Sequence, residues 1–246
     1  MRALFFTLLY LCMTVPLPGH AQKLPGESAR LLPSLVEEVD TFWTDIPDYV
    51  FPAGLIDQES NWKPTATLST SRELGCGLGQ FTLAKDGSGN VRFDALKETK
   101  ALSPALAEWN WRDCQATKYQ MRAVVIKTKS MYRTCYATMV DGRNALMCVG
   151  AGYNGGAGSV VKRQRFCRAT PGCDFRVWEG NLDKQCPQSN VKVQGYGESF
   201  CDINSKYPGR IYARMPKFRP TMDALWLERH PAALAVKAKK EGISVP

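Results

Sequence analysis

The chain has 246 residues, nine cysteines and a formal net charge of +9. This length allows one domain with a substantial buried core, with or without an appendage. The positive charge fits an anionic partner, and it fits simple solubility equally well. Because no basic run is interleaved with stacking aromatic residues, nucleic acid is not favoured as a partner.

The first residues have the pattern of a cleaved export signal. Met1 and Arg2 give a basic start, residues 3–15 are almost unbroken apolar sequence, and Gly19 and Ala21 supply small side chains before a cleavage site. We expect removal of residues 1–21 and a periplasmic location. A membrane anchor is the alternative, but the apolar run is shorter than the ~20 residues of a spanning helix. No later stretch is apolar enough, so we expect no stable membrane span.

Cysteine usage favours disulfide bonds. Loss of Cys12 with the signal leaves an even number, and an even number behind an export signal is typical of an oxidising compartment. The sequence leaves the connectivity open, but the short loops Cys167–Cys173 and Cys186–Cys201 are the pairings we predict. Zinc is disfavoured, because no Cys-x-x-Cys occurs and only His230 would remain in the mature chain. We expect no metal and no cofactor.

Two helices are predicted early in the mature chain. Apolar residues recur at helical spacing over 31–43, and either Ser28 as a cap or Pro33 in the first turn would open this helix. The second helix covers 51–62, with Pro52 in its first turn.

The middle of the chain is also mainly helical. The sequence predicts, in order, a polar loop at 65–72, a turn at 85–90, a long helical stretch at 106–139, a short helix at 144–149, a glycine cluster at 150–158 and a helix at 159–166.

The C-terminal region, residues 167–246, differs in amino-acid composition from the domain predicted at 22–166. Cysteines, glycines and prolines alternate with single aromatic residues up to about Tyr212, which predicts a disulfide-stapled, loop-rich appendage. Short strands are expected around Asn190–Val193, and a terminal helix is expected at 221–240.

Glu59 is the candidate for acid chemistry. A glycosidic bond is cut when an acid protonates the leaving oxygen, and that acid must hold its proton near neutral pH. Burial among apolar residues raises the pKa of a carboxyl group in this way. Glu59 follows Leu55 and Ile56 and precedes Trp62. A surface glutamate at a helix end is the alternative.

Two glycine clusters accompany this glutamate. Glycines alternate within residues 75–80, which lets a backbone pass close to a ligand, although a bulged strand or tight turn would use them too. Residues 150–155 formally match the G-x-G-x-x-G nucleotide fingerprint. We reject that match, because no βαβ pattern surrounds it and further glycines interrupt the helix that should follow.

Together these pieces resemble the soluble lytic transglycosylase domain, a family related to goose-type lysozyme. The resemblance covers roughly residues 34–165. It is carried by three motifs in the family's order: Glu59-Ser60, Gly77-Leu78-Gly79-Gln80 and Tyr153-Asn154-Gly155-Gly156-Ala157-Gly158.

The resemblance implies a lysozyme-like fold of the α+β class, predominantly α, with the cysteine-rich region appended. It implies that Glu59 is the single catalytic acid and then the base, and that Gln80 lines the sugar groove. Tyr153 would form a hydrogen bond near Glu59 and position it, and Asn154 would support that corner.

The implied substrate is the glycan strand of peptidoglycan. Such enzymes split the bond between N-acetylmuramic acid and N-acetylglucosamine, and the muramic 6-hydroxyl then attacks internally to give a 1,6-anhydro product. The acetamido group of the substrate replaces a second carboxylate, which fits a sequence with no obvious second acid near the motif.

The sequence departs from the family's pattern at several positions. Gly79 stands where methionine is common, Arg72–Cys76 looks inserted, and Gly152 replaces an alanine. The cysteine within this insertion predicts a disulfide that braces the loop. Trp109, Trp111 and Trp178 are candidates for stacking on sugars, but burial in the core is the more common fate of such residues.

Other functions remain open at this point. An enzyme of the same fold that admits water would be a muramidase. A wall-binding scaffold would have kept the fold and lost catalysis. The cysteine-rich region suggests a specialised setting, such as a wall-opening component of a conjugation or secretion apparatus, or a phage product.

Overall fold

The structure is a computed structural model that describes residues 23–192 and 197–231. The expected export signal, and the part of the expected terminal helix beyond residue 231, lie outside the described residues. The described chain is mostly helical with one small sheet, as the α+β expectation requires. Its helices are α1 (Ser28–Phe42), α2 (Phe51–Ser60), α3 (Ala95–Lys100), α4 (Thr117–Tyr136), α5 (Gly142–Gly155), α6 (Ala157–Arg168), α7 (Phe200–Arg214) and α8 (Arg219–Arg229).

The sheet follows α2 and is antiparallel, with four strands in chain order. Its strands are β1 (Thr67–Ser69), β2 (Glu73–Cys76), β3 (Phe81–Lys85) and β4 (Val91–Asp94). The turn expected at 85–90 connects β3 to β4, and the Asp86 carboxylate accepts backbone hydrogen bonds from Ser88 and Asn90, each 2.9 Å long. The tight connection between β2 and β3 holds the Gly-Leu-Gly-Gln motif.

The core is organised around α2 and α5. Helix α2 is buried along residues 51–57 and packs against α7, while α5 packs against α4, α6 and α7. A Cβ atom at Gly54 of α2 would lie 2.8 Å from the carbonyl oxygen of Ile211, and one at Gly150 of α5 would lie 3.3 Å from Cα of Pro208. Because a side chain at either position would push α7 away, the two glycines allow α7 to approach closely.

Four disulfide bonds connect segments that pack around this core. The two predicted pairs, Cys167–Cys173 and Cys186–Cys201, are confirmed, and Cys135–Cys148 joins α4 to α5. The fourth bond, Cys76–Cys114, ties the end of β2 to the segment before α4. The expected brace on the glycine-rich loop is therefore present.

The described part of the C-terminal region contributes buried residues to the helical core. Loops and one short 3₁₀ turn run through the described residues as far as 192, but α7 replaces the loop structure that we expected up to Tyr212. Ile211 and Phe218 are fully buried in the same core as α2. Pro208 lies inside α7 and weakens the helical pattern in the sequence, so tertiary packing decides this helix.

Three further expectations need correction. The helix predicted at 106–139 begins only at Thr117, because the side chains of Ser103 and Asn110 cap two short 3₁₀ turns before it. Part of the loop predicted at 65–72 forms β1. The strand expected around Asn190–Val193 is reduced to one bridge between Lys192 and Ser199, and residue 193 lies outside the described chain.

Candidate active site

Glu59 lies in the last turn of α2, where the helix meets a polar cavity. Asn61, the residue after the helix, adopts a left-handed conformation with φ of 50°, which turns the chain away and leaves the end of α2 open. Glu59 is partly buried. Burial raises the pKa of its carboxyl group to about 7, while the Tyr207 hydroxyl and the Lys127 ammonium act in the opposite direction. This carboxyl group can therefore hold a proton close to neutral pH.

Tyr207 is the tyrosine that holds the Glu59 carboxyl group. It lies on α7, is 3% exposed, and donates a hydrogen bond from its hydroxyl to Oε1 of Glu59. Burial and the nearby Glu59 charge keep the pKa of Tyr207 well above its usual value, so its hydroxyl stays protonated and remains a donor. With Oε1 occupied, Oε2 is the oxygen left to carry and deliver a proton.

Tyr153 has a different partner from the one predicted. Its hydroxyl donates a 2.8 Å hydrogen bond to the carbonyl oxygen of Gly79, and the expected hydrogen bond near Glu59 comes from Tyr207 instead. Tyr153 still belongs to the cluster, because the Glu59 charge contributes to its raised pKa after burial. Its role in the geometry is to tie α5 to the glycine-rich turn.

Lys127 adds a cation to this cluster. Its ammonium lies 4.2 Å from the centre of the Tyr153 ring and 5.4 Å from that of Phe81. Burial lowers the pKa of Lys127 to about 8, and the charges of Glu59 and Glu98 oppose that shift. The positive charge favours the ionised form of Glu59, so it would stabilise the carboxylate that remains after a proton has been given away.

The glycine-rich turn places Gln80 opposite the end of α2. Gln80 has a φ of 45°, and its Nε2 donates to the carbonyl oxygens of Gly77 at 2.9 Å and Ala66 at 3.2 Å. Behind the turn, buried Gln120 accepts from the backbone N–H of Leu78 at 2.7 Å. Because its amide is held in this way, Gln80 is a fixed part of the cavity wall.

Asn154 lies outside the cavity wall. It is exposed, and its Oδ1 accepts a 3.1 Å hydrogen bond from Nδ2 of Asn204, which also donates to the carbonyl oxygen of Ala151 at 2.9 Å. Asn204 is on the same helix as Tyr207. Asn154 therefore takes part in a hydrogen-bonded connection between α5 and α7.

A buried cation extends this connection into the cysteine-rich region. Arg163 of α6 is fully buried and donates to Oδ1 of Asn204 at 2.9 Å and to the hydroxyl of Ser205 at 3.0 Å. It also donates to the carbonyl oxygen of Leu182 at 3.0 Å. The loops that precede α7 are thus bonded to the helix that carries Tyr207.

The cavity beside Glu59 has a volume of about 750 Å³. It lies between the end of α2, the sheet and the C-terminal helices. Its lining residues are Asp57, Gln58, Glu59, Ser60, Asn61, Lys63, Ala66, Thr67, Gln80, Arg214 and Lys217. Of the two carboxylates, Asp57 is buried and bonded to Lys217 at 2.6 Å and to Arg214 at 3.3 Å. Glu59, by contrast, has no cation within 4 Å among the described residues, so no ion pair neutralises its carboxylate.

Comparisons of the chain with models of known protein families and with curated proteins find no match. Over residues 23–192 and 197–231, no helix is long and apolar enough to cross a bilayer. The same residues hold no group of three or more His, Cys, Asp or Glu side chains that could bind a metal ion. The buried positions of Trp109 and Trp178 assign both to the core.

Sequence reasoning missed Tyr207 and Lys127, yet both leave a signal. The buried positions Asn204, Tyr207 and Ile211 recur at helical spacing, which indicates a helix with an inward face. Lys127 of α4 directly follows the apolar run Val124 to Ile126 and stands between two buried residues, Ile126 and Thr128. A lysine between buried neighbours either reaches the surface or finds a partner inside.

Proposed function

We propose that this chain is a peptidoglycan lytic transglycosylase that acts in the periplasm. The observation that carries the proposal is Glu59, a carboxyl group with a pKa of about 7, which is held by Tyr207 in the wall of a cavity of about 750 Å³. The three sequence motifs of the resemblance contribute Glu59, Gln80 and Tyr153 to this one corner of the molecule. The four disulfides are consistent with an exported protein.

In the proposed reaction, Oε2 of protonated Glu59 gives its proton to the oxygen that joins muramic acid to N-acetylglucosamine. The bond from that oxygen to muramic C1 breaks, and the acetamido group of the muramic residue supports the developing positive charge. The Glu59 carboxylate, stabilised by Tyr207 and Lys127, then takes the proton from the muramic 6-hydroxyl as its oxygen bonds to C1. Glu59 is protonated again, and no water is consumed.

The distribution of carboxylates supports a single-acid mechanism. Hydrolytic glycosidases commonly use a second carboxylate as nucleophile or base. Among the described residues of the cavity wall, the one other carboxylate, on Asp57, is already bonded to Arg214 and Lys217. A chain with this arrangement needs help from the substrate, which the internal 6-hydroxyl and the acetamido group would provide.

Mass spectrometry of the products released from purified sacculi tests the proposal. A transglycosylase releases 1,6-anhydromuropeptides, which are lighter by one water than the products of a muramidase of the same fold. Hydrated products would overturn the transglycosylase reaction and leave a muramidase. Binding to sacculi without any release would identify a wall-binding scaffold instead.

A further inference from the structure

The cavity beside Glu59 has more positive than negative charge in its wall. Among the described residues of the wall, Lys63, Arg214 and Lys217 supply three cations, and Asp57 supplies the one carboxylate bonded to any of them. Two positive charges are uncompensated when Glu59 carries its proton, and one when Glu59 is ionised. The C-terminal dipole of α2 reduces this surplus by about half a charge. The cavity therefore has a positive potential in both protonation states of Glu59.

The cations differ in how the fold holds them. Asp57 is 2% exposed, and its contacts fix the Lys217 ammonium and the Arg214 guanidinium at the inner wall. Lys63 is exposed, lies just beyond the end of α2, and has no carboxylate within 4 Å among the described residues. Two cations bonded to Asp57 and one exposed cation thus line the same cavity.

The rest of the wall, apart from Ala66, suits hydrogen bonding better than stacking on a sugar ring. No aromatic side chain is among the described residues that line the cavity, so a pyranose ring has no stacking surface there. The wall is made of amides, hydroxyls and charges. A ligand that fills it would gain from hydrogen bonds and from a negative charge.

We propose that Lys63, Arg214 and Lys217 form a subsite for a carboxylate attached to the muramic acid of the glycan. This inference rests on the proposed function. The carboxylate has two sources: the lactyl group of muramic acid when no peptide is attached, and the stem peptide when it is. Either source makes the chain select acidic glycan over neutral N-acetylglucosamine polymers.

Equilibrium binding with the Glu59→Gln chain tests this subsite without turnover. Three tetrasaccharides of equal length serve as probes: neutral chitotetraose, a peptide-free muramic acid–glucosamine tetramer with free lactyl carboxylates, and the same tetramer with stem peptides. We expect acidic probes to bind about tenfold more tightly than chitotetraose at low salt, with a smaller ratio at high salt. Preference for the peptide-free tetramer identifies the lactyl carboxylate, and preference only for the peptide-bearing one identifies the stem.

Lys63→Gln, in the Glu59→Gln background, provides the sharpest variant, because Lys63 supports no buried partner and its replacement should leave folding intact. It should weaken binding of the acidic probe by about twofold to fivefold and reduce the acidic-to-neutral ratio by the same factor. Lys162→Gln, an exposed lysine on α6 away from the cavity, is the charge-matched control and should change nothing. Equal binding of neutral and acidic probes, no binding of any probe, or a ratio unchanged by Lys63→Gln would overturn the subsite.

These outcomes separate the subsite from the proposed reaction. Release of anhydromuropeptides by wild type together with equal binding of all probes would remove the subsite and leave the reaction. A charge-dependent preference with no product release would keep the subsite and remove the reaction.

Discussion

The hydroxyl of Tyr207 donates a hydrogen bond to Oε1 of Glu59 across 148 positions of the chain. This bond occupies one carboxyl oxygen and leaves the other without a hydrogen bond from Tyr207. It also favours the ionised form of Glu59 and so moderates the rise in pKa that burial causes. Tyr207 is therefore a positioning residue that acts through Glu59.

Replacement of Tyr207 should change both the rate and the pH profile. In Tyr207→Phe the carboxyl group loses its fixed orientation, and kcat should fall by about tenfold or more. The pKa of Glu59 should rise, because a hydrogen bond to its ionised form is lost, so the alkaline limb of the kcat/KM profile should move to higher pH. Tyr153→Phe is the matched control. If the alkaline limb of the kcat/KM profile moved in Tyr153→Phe and not in Tyr207→Phe, Tyr153 and not Tyr207 would be the residue that positions Glu59.

The positive charge of Lys127 should lower the pKa of Glu59. Lys127→Met removes the cation that favours the Glu59 carboxylate, so the pKa of Glu59 should rise further above about 7. The alkaline limb should shift upward, while kcat should fall because the carboxylate formed after proton transfer loses its cation. The pH dependence of muropeptide release measures both effects. An alkaline limb that stays where it is in wild type would show that Lys127 does not act on this carboxyl group.

Glu59 should make the protein less stable as pH rises. Its pKa is raised from 4.5 to about 7, so between these values the native state binds a proton that the unfolded state has released. Stability is therefore lost through this window, by about 3 kcal/mol in total. Glu59→Gln removes the loss, so it should unfold at a higher temperature than wild type at about pH 8 and at a similar temperature at about pH 4.

Exposed Glu37→Gln is the control for that comparison. It should follow wild type across the whole pH range, because its carboxyl group is not buried. Thermal unfolding of the three proteins at a series of pH values gives the answer. A constant difference between Glu59→Gln and wild type at all pH values would contradict the burial of a protonated Glu59.

The sequence predicts those parts of the site that depend on residues close together along the chain. Helix α2 is recognisable because Pro52 opens it and an apolar run fills it, and the motif residues Glu59 and Gln80 prove to share one cavity. The short disulfides Cys167–Cys173 and Cys186–Cys201 are predictable because short loops restrict their partners. These features depend on neighbours along the chain.

Features set by long-range packing are the ones that pattern reasoning misses. Pro208 and Gly209 weaken the helical pattern of residues 200–214 in the sequence. The packing of α7 against Gly54 and Gly150 stabilises this segment as a helix. The hydrogen-bond partner of Tyr153 could not be chosen from the sequence either. The resemblance implies a hydrogen bond near Glu59, while the close approach of Gly79 decides the actual partner.

Gly79 should be irreplaceable for a packing reason. A Cβ atom there would lie 2.6 Å from the Tyr153 hydroxyl oxygen and 2.7 Å from Cγ2 of Val124. Gly79→Ala should lower the free energy of unfolding by about 1–3 kcal/mol and reduce activity, because the turn that carries Gln80 must shift. Gly158→Ala, where a Cβ atom meets nothing within 4 Å, should be neutral or slightly stabilising. Similar melting temperatures for both variants would contradict this packing.

The Cys186–Cys201 disulfide should contribute more to stability and activity than the Cys167–Cys173 disulfide. The Cys186–Cys201 bond closes a loop with a sequence separation of 15, against 6 for Cys167–Cys173. Its removal by paired serine substitutions should cost about 3 kcal/mol, against about 2 kcal/mol for the shorter loop. It should also reduce activity, because Cys201 lies at the start of the helix that carries Tyr207. Denaturant unfolding and product release measure the two effects, and an equal loss of activity from both pairs would argue against a specific link to α7.

The most direct test of the central claim is release of soluble muropeptides from purified sacculi by wild type, Glu59→Gln and the exposed control Glu37→Gln. Wild type and Glu37→Gln should release anhydro products at similar rates, while Glu59→Gln should be slower by about 100-fold or more, because the proton donor is gone. Release by Glu59→Gln at the wild-type rate, or no release by any of the three proteins, would contradict the account.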